Sequence, residues 1–189
     1  MEKIQIHDKV FVPYMPYEQV SKIIDGVADK LNADFCDKNH DYSKRQETDI
    51  PVLLCILHGS IMFTGELMER LSFPVELASM KLSSYVGTSS TGVVREVMPL
   101  STDIKGRSVI VCEDIVDTGN TIVELKKKLL DKGAKDVRIC TMLLKPEVFN
   151  KRCNLDYVGA EIPNRFIVGF GLDYDELGRN LKDIYVLEQ

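Results

Sequence analysis

Two hydrophobic periods alternate along this chain. Val20, Ile23, Ile24, Val27 and Leu31 recur at helical spacing and predict an amphipathic helix over about residues 17–32. The polar stretch 37–49 reads as a surface connection or a helix end. The apolar run Pro51–Leu57 is short and unbroken, the pattern of a strand buried on both faces. His58-Gly59-Ser60 stops it. Ser60 is a candidate cap for a helix over about 61–71, carrying Ile61, Leu67, Met68 and Leu71. Val75–Leu82 and Val93–Met98 read as a hairpin around a Ser/Thr/Gly-rich loop that begins at Ser83 and holds a single aromatic, Tyr85. Ser108–Ile115 is a second buried strand, followed by a turn and a helix over about 120–132 that ends at Gly133. Val137–Leu144 is strand again. Three short extended pieces close the chain: Tyr157–Ile162, Arg165–Phe170 and Ile184–Leu187.

Strand and helix in alternation predict an α/β fold, with a central, mostly parallel sheet flanked by helices. The C-terminal pieces suit a small hood beside that sheet rather than a second domain. Residues 1–45 receive only a packing role. The 189 residues suit one domain over 1–189.

Charge and cysteine content narrow the function classes. Asp and Glu total 29 against 24 Lys and Arg, a net charge of −5. A protein that grips a nucleic-acid backbone carries a basic surplus, so no nucleic-acid partner is expected. No apolar run approaches the roughly 18–20 residues of a membrane span, so no membrane partner is expected either. The N-terminal residues lack the basic flank and apolar stretch of a secretory signal. Five cysteines occur without a Cys-x-x-Cys pair. Reduced, buried thiols in a cytoplasmic protein are the expectation.

The chemistry concentrates in Val111–Thr121, which leaves a buried strand and enters a helix. Glu113 and Asp114 fall at the carboxyl end of the strand, where open parallel sheets bind ligands. Asp117-Thr118-Gly119-Asn120-Thr121 adds a tight turn with two hydroxyls and the unpaired first amides of a helix, a ready anion site. Taken singly, these residues read as an acidic helix start with Asp117 as its cap. Together they suit a ligand that carries both a phosphate and diol hydroxyls. Walker-type and dinucleotide-binding glycine patterns are absent.

This segment resembles the ribose-phosphate signature of the type I phosphoribosyltransferases. Roughly residues 45–189 resemble the hypoxanthine-guanine branch of that family, in matching order. Leu57-His58-Gly59-Ser60 resembles its pyrophosphate loop and Leu82-Ser83-Ser84-Tyr85 the start of its flexible lid hairpin. Leu143-Leu144-Lys145 resembles its purine-reading strand. Phe166 to Tyr174, with Arg179 downstream, resemble its base-stacking and metal-binding segment.

The resemblance implies transfer of a phosphoribosyl group from phosphoribosyl pyrophosphate to a 6-oxopurine, with Mg2+ as cofactor. It implies that Glu113 and Asp114 hold the ribose hydroxyls, directly or through the metal. Asp117 to Thr121 would hold the 5-phosphate, and Asp117 would also take the purine N7 proton. Lys145 would donate to the 6-oxo group, Phe166 would stack on the base, and the Ile167 backbone would meet its edge. Asp173 would hold a metal beside the purine and pyrophosphate. His58, Gly59 and Arg179 would bind pyrophosphate, while Ser84 and Tyr85 close over the reaction. A homodimer or homotetramer is implied. Two positions depart from the family pattern: His58 stands where Lys or Arg is frequent, and Asn120 where Lys is frequent. The alternative is a regulatory protein of the same fold that senses phosphoribosyl pyrophosphate or nucleotides.

Overall fold

The computed structural model describes residues 2–35, 50–84 and 94–188, with the side chains of residues 83, 84, 94 and 95 outside the description. The elements in chain order are β1 (Ile4–Ile6), β2 (Lys9–Met15), α1 (Tyr17–Phe35), β3 (Val52–Leu57), α2 (Ile61–Met68), β4 (Glu76–Ser84) and β5 (Val94–Met98). They continue with β6 (Ser108–Val116), α3 (Asn120–Asp131), β7 (Asp136–Leu144), β8 (Tyr157–Glu161), β9 (Ile167–Val168) and β10 (Ile184–Leu187).

Six strands form the main sheet in the order β5-β4-β3-β6-β7-β8. Every neighbouring pair is parallel except β4–β5. The strand period of two divides the apolar runs between two cores. Leu53, Ile110 and Cys112 join α1 and α2 on one face, through Val20, Ile24, Val27, Leu31, Phe63 and Leu67. Val52, Leu54, Ile56, Val109 and Val111 join α3 on the other, through Ile122, Leu125 and Leu129. Both faces are therefore covered, which explains why β3 and β6 carry apolar residues without alternation. Truncating a residue such as Leu53, which is fully buried, removes about 2–5 kcal/mol.

The hood is a second, antiparallel sheet in the order β1-β2-β10-β9. It draws on both ends of the described chain, which goes beyond the packing role expected for residues 1–45. Pro13 fits within β2 because β1 pairs only with Lys9 to Phe11, so no β1 residue needs a proline amide. Met15, Ile167, Phe170, Ile184 and Val186 join the core under α1 and tie the hood to the main sheet. One local expectation holds in position only. Ser60 stands at the N-cap of α2, but its side chain makes no capping bond; the hydroxyl donates back to the Ile56 carbonyl at 2.8 Å, inside a buried turn.

Candidate active site

Glu113 to Thr121, Lys145, His58 and Gly59 gather around the carboxyl ends of β3, β6 and β7. Parallel register places Val116 beside Leu144, so the next residues on each strand leave the sheet together. Their side chains meet: Lys145 Nζ lies 2.7 Å from Asp117 Oδ1. Lys145 is nearly buried, at 8% exposure, and the Asp117 side chain is about half exposed. After Asp117 the chain turns through Gly119, whose φ of 81° is left-handed, and enters α3 at Asn120. Gly119 is the cap residue, not Asp117. Glu113, Asp117, Thr118, Gly119 and Thr121 line a cavity of about 150 Å3. The first amides of α3 open toward this turn, an arrangement suited to a phosphate.

The two adjacent acids face different neighbours. Glu113 lines the turn cavity, and burial pushes its carboxyl well above the usual carboxylate range, helped by the Asp114 charge. Asp114 turns toward the His58-Gly59 loop. Burial raises its carboxyl to about 6; the Ile115 amide and Arg179 oppose the rise, and Asp173 adds to it. Gly59 packs closely there: a Cβ would land on the Asp114 carboxylate, so one of the two would have to move. Gly171 is required in turn, since its Cβ would land on the Gly59 carbonyl. His58 is exposed, and the Leu57–His58 peptide is cis.

Arg179 bridges this side of the site. Its Nη1 donates to the Gly171 carbonyl at 2.9 Å, and its Nη2 lies 2.8 Å from Asp173 Oδ1. The other Asp173 oxygen accepts the Glu176 amide at 2.8 Å. Asp173 is thus engaged by protein groups on both oxygens, which the sequence reading did not anticipate. Among the described residues, no three acidic, His or Cys side chains converge as a ready metal cage. The donor set still fits Mg2+, which commonly takes one or two carboxylates and completes its shell with substrate oxygens and water. Asp114, a partly buried carboxylate with no cation in hydrogen-bond contact among the described residues, is the residue best placed to be one of them.

Phe166 stands on the hood with its ring exposed, at 43%, so it is not a core residue. Tyr174 packs edge-on against it at 5.8 Å, Phe11 lies tilted at 6.1 Å, and Lys9 Nζ sits 5.6 Å from its centroid. Lys9 and Phe11 come from β2 and were not anticipated. The signal was present in Lys-Val-Phe-Val-Pro-Tyr-Met, a β-branched and aromatic run of strand length. The Phe166 carbonyl accepts the Leu187 amide at 2.9 Å. In a trans peptide the next N–H, that of Ile167, points the opposite way. It faces the open edge of β9, the last strand of the hood sheet. Ser84 ends β4, but its side chain is not described, and Tyr85 lies outside the described residues.

The chain is similar to known proteins across most of its length. The phosphoribosyl transferase domain family matches residues 17–175. The hypoxanthine-guanine phosphoribosyltransferase of Lactococcus lactis is 44% identical over 147 residues, covering 77% of this chain and 80% of the relative. That of Streptococcus pneumoniae is 37% identical over 174 residues, covering 92% and 91%. Among solved structures, a Trypanosoma cruzi hypoxanthine phosphoribosyl transferase superposes with a TM-score of 0.85 at 32% identity. That match covers 98% of this chain and 95% of the other; the structure was described for the role of its C-terminal region in oligomeric state and activity.

Proposed function

The chain belongs to the phosphoribosyl transferase family, and from that membership and its site we infer that it is a purine salvage enzyme. It transfers the 5-phosphoribosyl group from phosphoribosyl pyrophosphate to a 6-oxopurine, hypoxanthine and also guanine. The products are IMP or GMP and pyrophosphate. The observation that carries the base assignment is the contact of Lys145 with Asp117, a cation and a carboxylate one hydrogen bond apart at the strand ends. The relatives bear transferase names, so a purely regulatory role is not favoured.

The turn from Asp117 to Thr121 receives the 5-phosphate through amides and hydroxyls. Glu113 and Asp114 face the ribose hydroxyls. Phe166 stacks on the base, held by Phe11 and Tyr174 behind it. The outward Ile167 amide meets the edge of the base. Lys145 donates to the 6-oxo group. Adenine presents an amino group there, a donor facing a donor, and is rejected. As the purine N9 bonds to the anomeric carbon and the bond to pyrophosphate oxygen breaks, Asp117 accepts the N7 proton. Arg179, His58 and the Gly59 amide face the departing pyrophosphate, and excluding water from it is the role assigned to Ser84 and Tyr85. Asp114, Glu113 and Asp173 would hold Mg2+, which when bound neutralises charge on pyrophosphate.

The reading extends to a homodimer or homotetramer in the cytoplasm. Among the described residues no helix is long and apolar enough to cross a membrane. The test supplies phosphoribosyl pyrophosphate, Mg2+ and hypoxanthine, guanine or xanthine in turn. Formation of IMP is expected, and absence of any monophosphate product with all three bases overturns the assignment.

A further inference from the structure

The turn that leads into α3 is not held by its own helix alone. A loop that follows β7 supports it from behind. The chain leaves Lys145 in a tight turn, in which the Val148 and Phe149 amides donate to the Lys145 carbonyl at 3.3 and 3.2 Å. This delivers Phe149 and Asn150 to the outer side of Gly119. The Phe149 ring lies so close that a Cβ on Gly119 would meet its Cε2 at 2.6 Å. The Asn150 amide donates to the Thr118 carbonyl at 3.1 Å. The Asn150 side chain then makes two more bonds. Its Nδ2 donates to Asn120 Oδ1 at 2.7 Å, and its Oδ1 accepts the Arg152 amide at 2.9 Å.

These bonds fix directions. The Thr118 carbonyl and the Gly119 N–H belong to one planar trans peptide and point opposite ways. Holding the carbonyl outward on Asn150 turns the Gly119 N–H inward, toward the cavity lined by Asp117, Thr118, Gly119 and Thr121. The Asn120 clasp holds the first residue of α3 against the same loop, so the helix amides keep their aim. A glycine-containing turn left to itself samples many backbone states. An anion cradle works only when its donors are set before the ligand arrives.

We propose that Asn150 is a positioning residue for the phosphate-bearing substrate: by holding the Thr118 carbonyl and the Asn120 amide group it presets the donors that receive the 5-phosphate. The proposal rests on the reading of residues 117–121 as the 5-phosphate turn. Asn150 itself touches no substrate. It acts on donor and nucleotide affinity and leaves the purine platform, which sits on the hood, alone.

The experiment compares Asn150→Ala, which removes the side-chain clasp, with Asn150→Pro, which also deletes the backbone donor. Thr121→Ala serves as the control for the turn itself. Measured are KM for phosphoribosyl pyrophosphate, KM for hypoxanthine, IMP affinity by calorimetry, and the melting temperature. In Asn150→Ala the donor KM and the IMP Kd rise by roughly 3–10-fold, the worth of one neutral hydrogen bond, while the hypoxanthine KM stays within error. Asn150→Pro shows a larger rise on the same two constants. If Asn150→Pro does not fold, Asn150→Ala decides alone. Unchanged donor and IMP constants in Asn150→Ala overturn the proposal, as does a parallel shift of all three constants. If Thr121→Ala also leaves donor and IMP constants unchanged, the 5-phosphate reading of the turn has failed. If Thr121→Ala weakens them and Asn150→Ala does not, only the positioning role has failed.

Discussion

Lys145 Nζ lies 2.7 Å from Asp117 Oδ1, joining the residue assigned to the 6-oxo group with the residue assigned to the N7 proton. On a 6-oxopurine these two atoms share one edge of the ring system. A cation and a carboxylate a hydrogen bond apart match that edge as a pair, one donating and one accepting. The contact follows from parallel register, since β6 and β7 end side by side. Replacing Lys145 by Ala is expected to lower kcat/KM for hypoxanthine by roughly 10–150-fold, the range for a hydrogen bond from a charged group. The donor KM changes little. Steady-state rates with hypoxanthine and adenine check this, and the ratio between the two bases must fall. An unchanged ratio removes Lys145 from base selection.

Asp117→Asn keeps the size of the side chain and one hydrogen-bonding oxygen but cannot accept the N7 proton. IMP synthesis is expected to slow by roughly 10²–10⁴-fold. Binding of phosphoribosyl pyrophosphate, followed by calorimetry, should persist. A variant that turns over at the wild-type rate is incompatible with Asp117 as the base.

The Asp114 carboxyl provides a dependence on pH. Burial raises it to about 6 in the folded protein, whereas an unfolded Asp releases its proton near ~3.9. Between those values the folded state retains a proton that the unfolded state has lost. Stability contributed by this group therefore falls as pH rises from about 4 to about 6, and the cost remains at higher pH. In chelator, Asp114→Asn should melt roughly 6–12 °C above the wild type at pH 7.5. The two proteins should converge near pH 4. An equal difference at both pH values would show that ionisation of Asp114 is not the cause.

Gly59→Ala tests the packing between the pyrophosphate loop and the acid. A Cβ at this position has no room beside the Asp114 carboxylate. Either the loop or Asp114 must shift, and the expected result is a rise of at least about tenfold in the donor KM. The hypoxanthine KM, assigned to Lys145 and Phe166, should hold. Kinetics with each substrate varied in turn separates the two effects, and a donor KM at the wild-type value would mean the loop relaxes freely.

Much of the fold was legible because its core strands are local signals. The apolar runs of β3, β6 and β7 are buried on both faces, so nothing in them needs to alternate, and their ends fell within a residue or two of the expected positions. The helix α1 showed its apolar stripe, and α3 was bounded by the turn before it and Gly133 after it. The hood was only half legible. β10 appeared as expected, but its partner β2 holds Pro13 and lies far away in the sequence, before α1. No local pattern names a partner so far away. The site divides in the same way. Glu113 to Thr121 are contiguous, and their grouping of acids, hydroxyls and glycine could be read directly. The aromatic backing of Phe166 by Phe11 and Tyr174, the pairing of Asp173 with Arg179 and the clasp on Asn120 are made by residues that meet only in the folded chain. Ser60 misled for a related reason: its hydroxyl donates to the Ile56 carbonyl instead of accepting from the first amides of α2.

The seating of β10 between β2 and β9 also orders the birth of the molecule. The phosphate turn needs only β6, the start of α3 and the loop after β7, all close neighbours along the chain. The hood joins Met15 to Ile184, so it closes only after Ile184 has left the ribosome. Contacts between such distant segments carry the largest loop-closure cost and form late. On the proposed roles, a nascent chain can set its phosphate turn and Lys145 before it has the hood that carries Phe166.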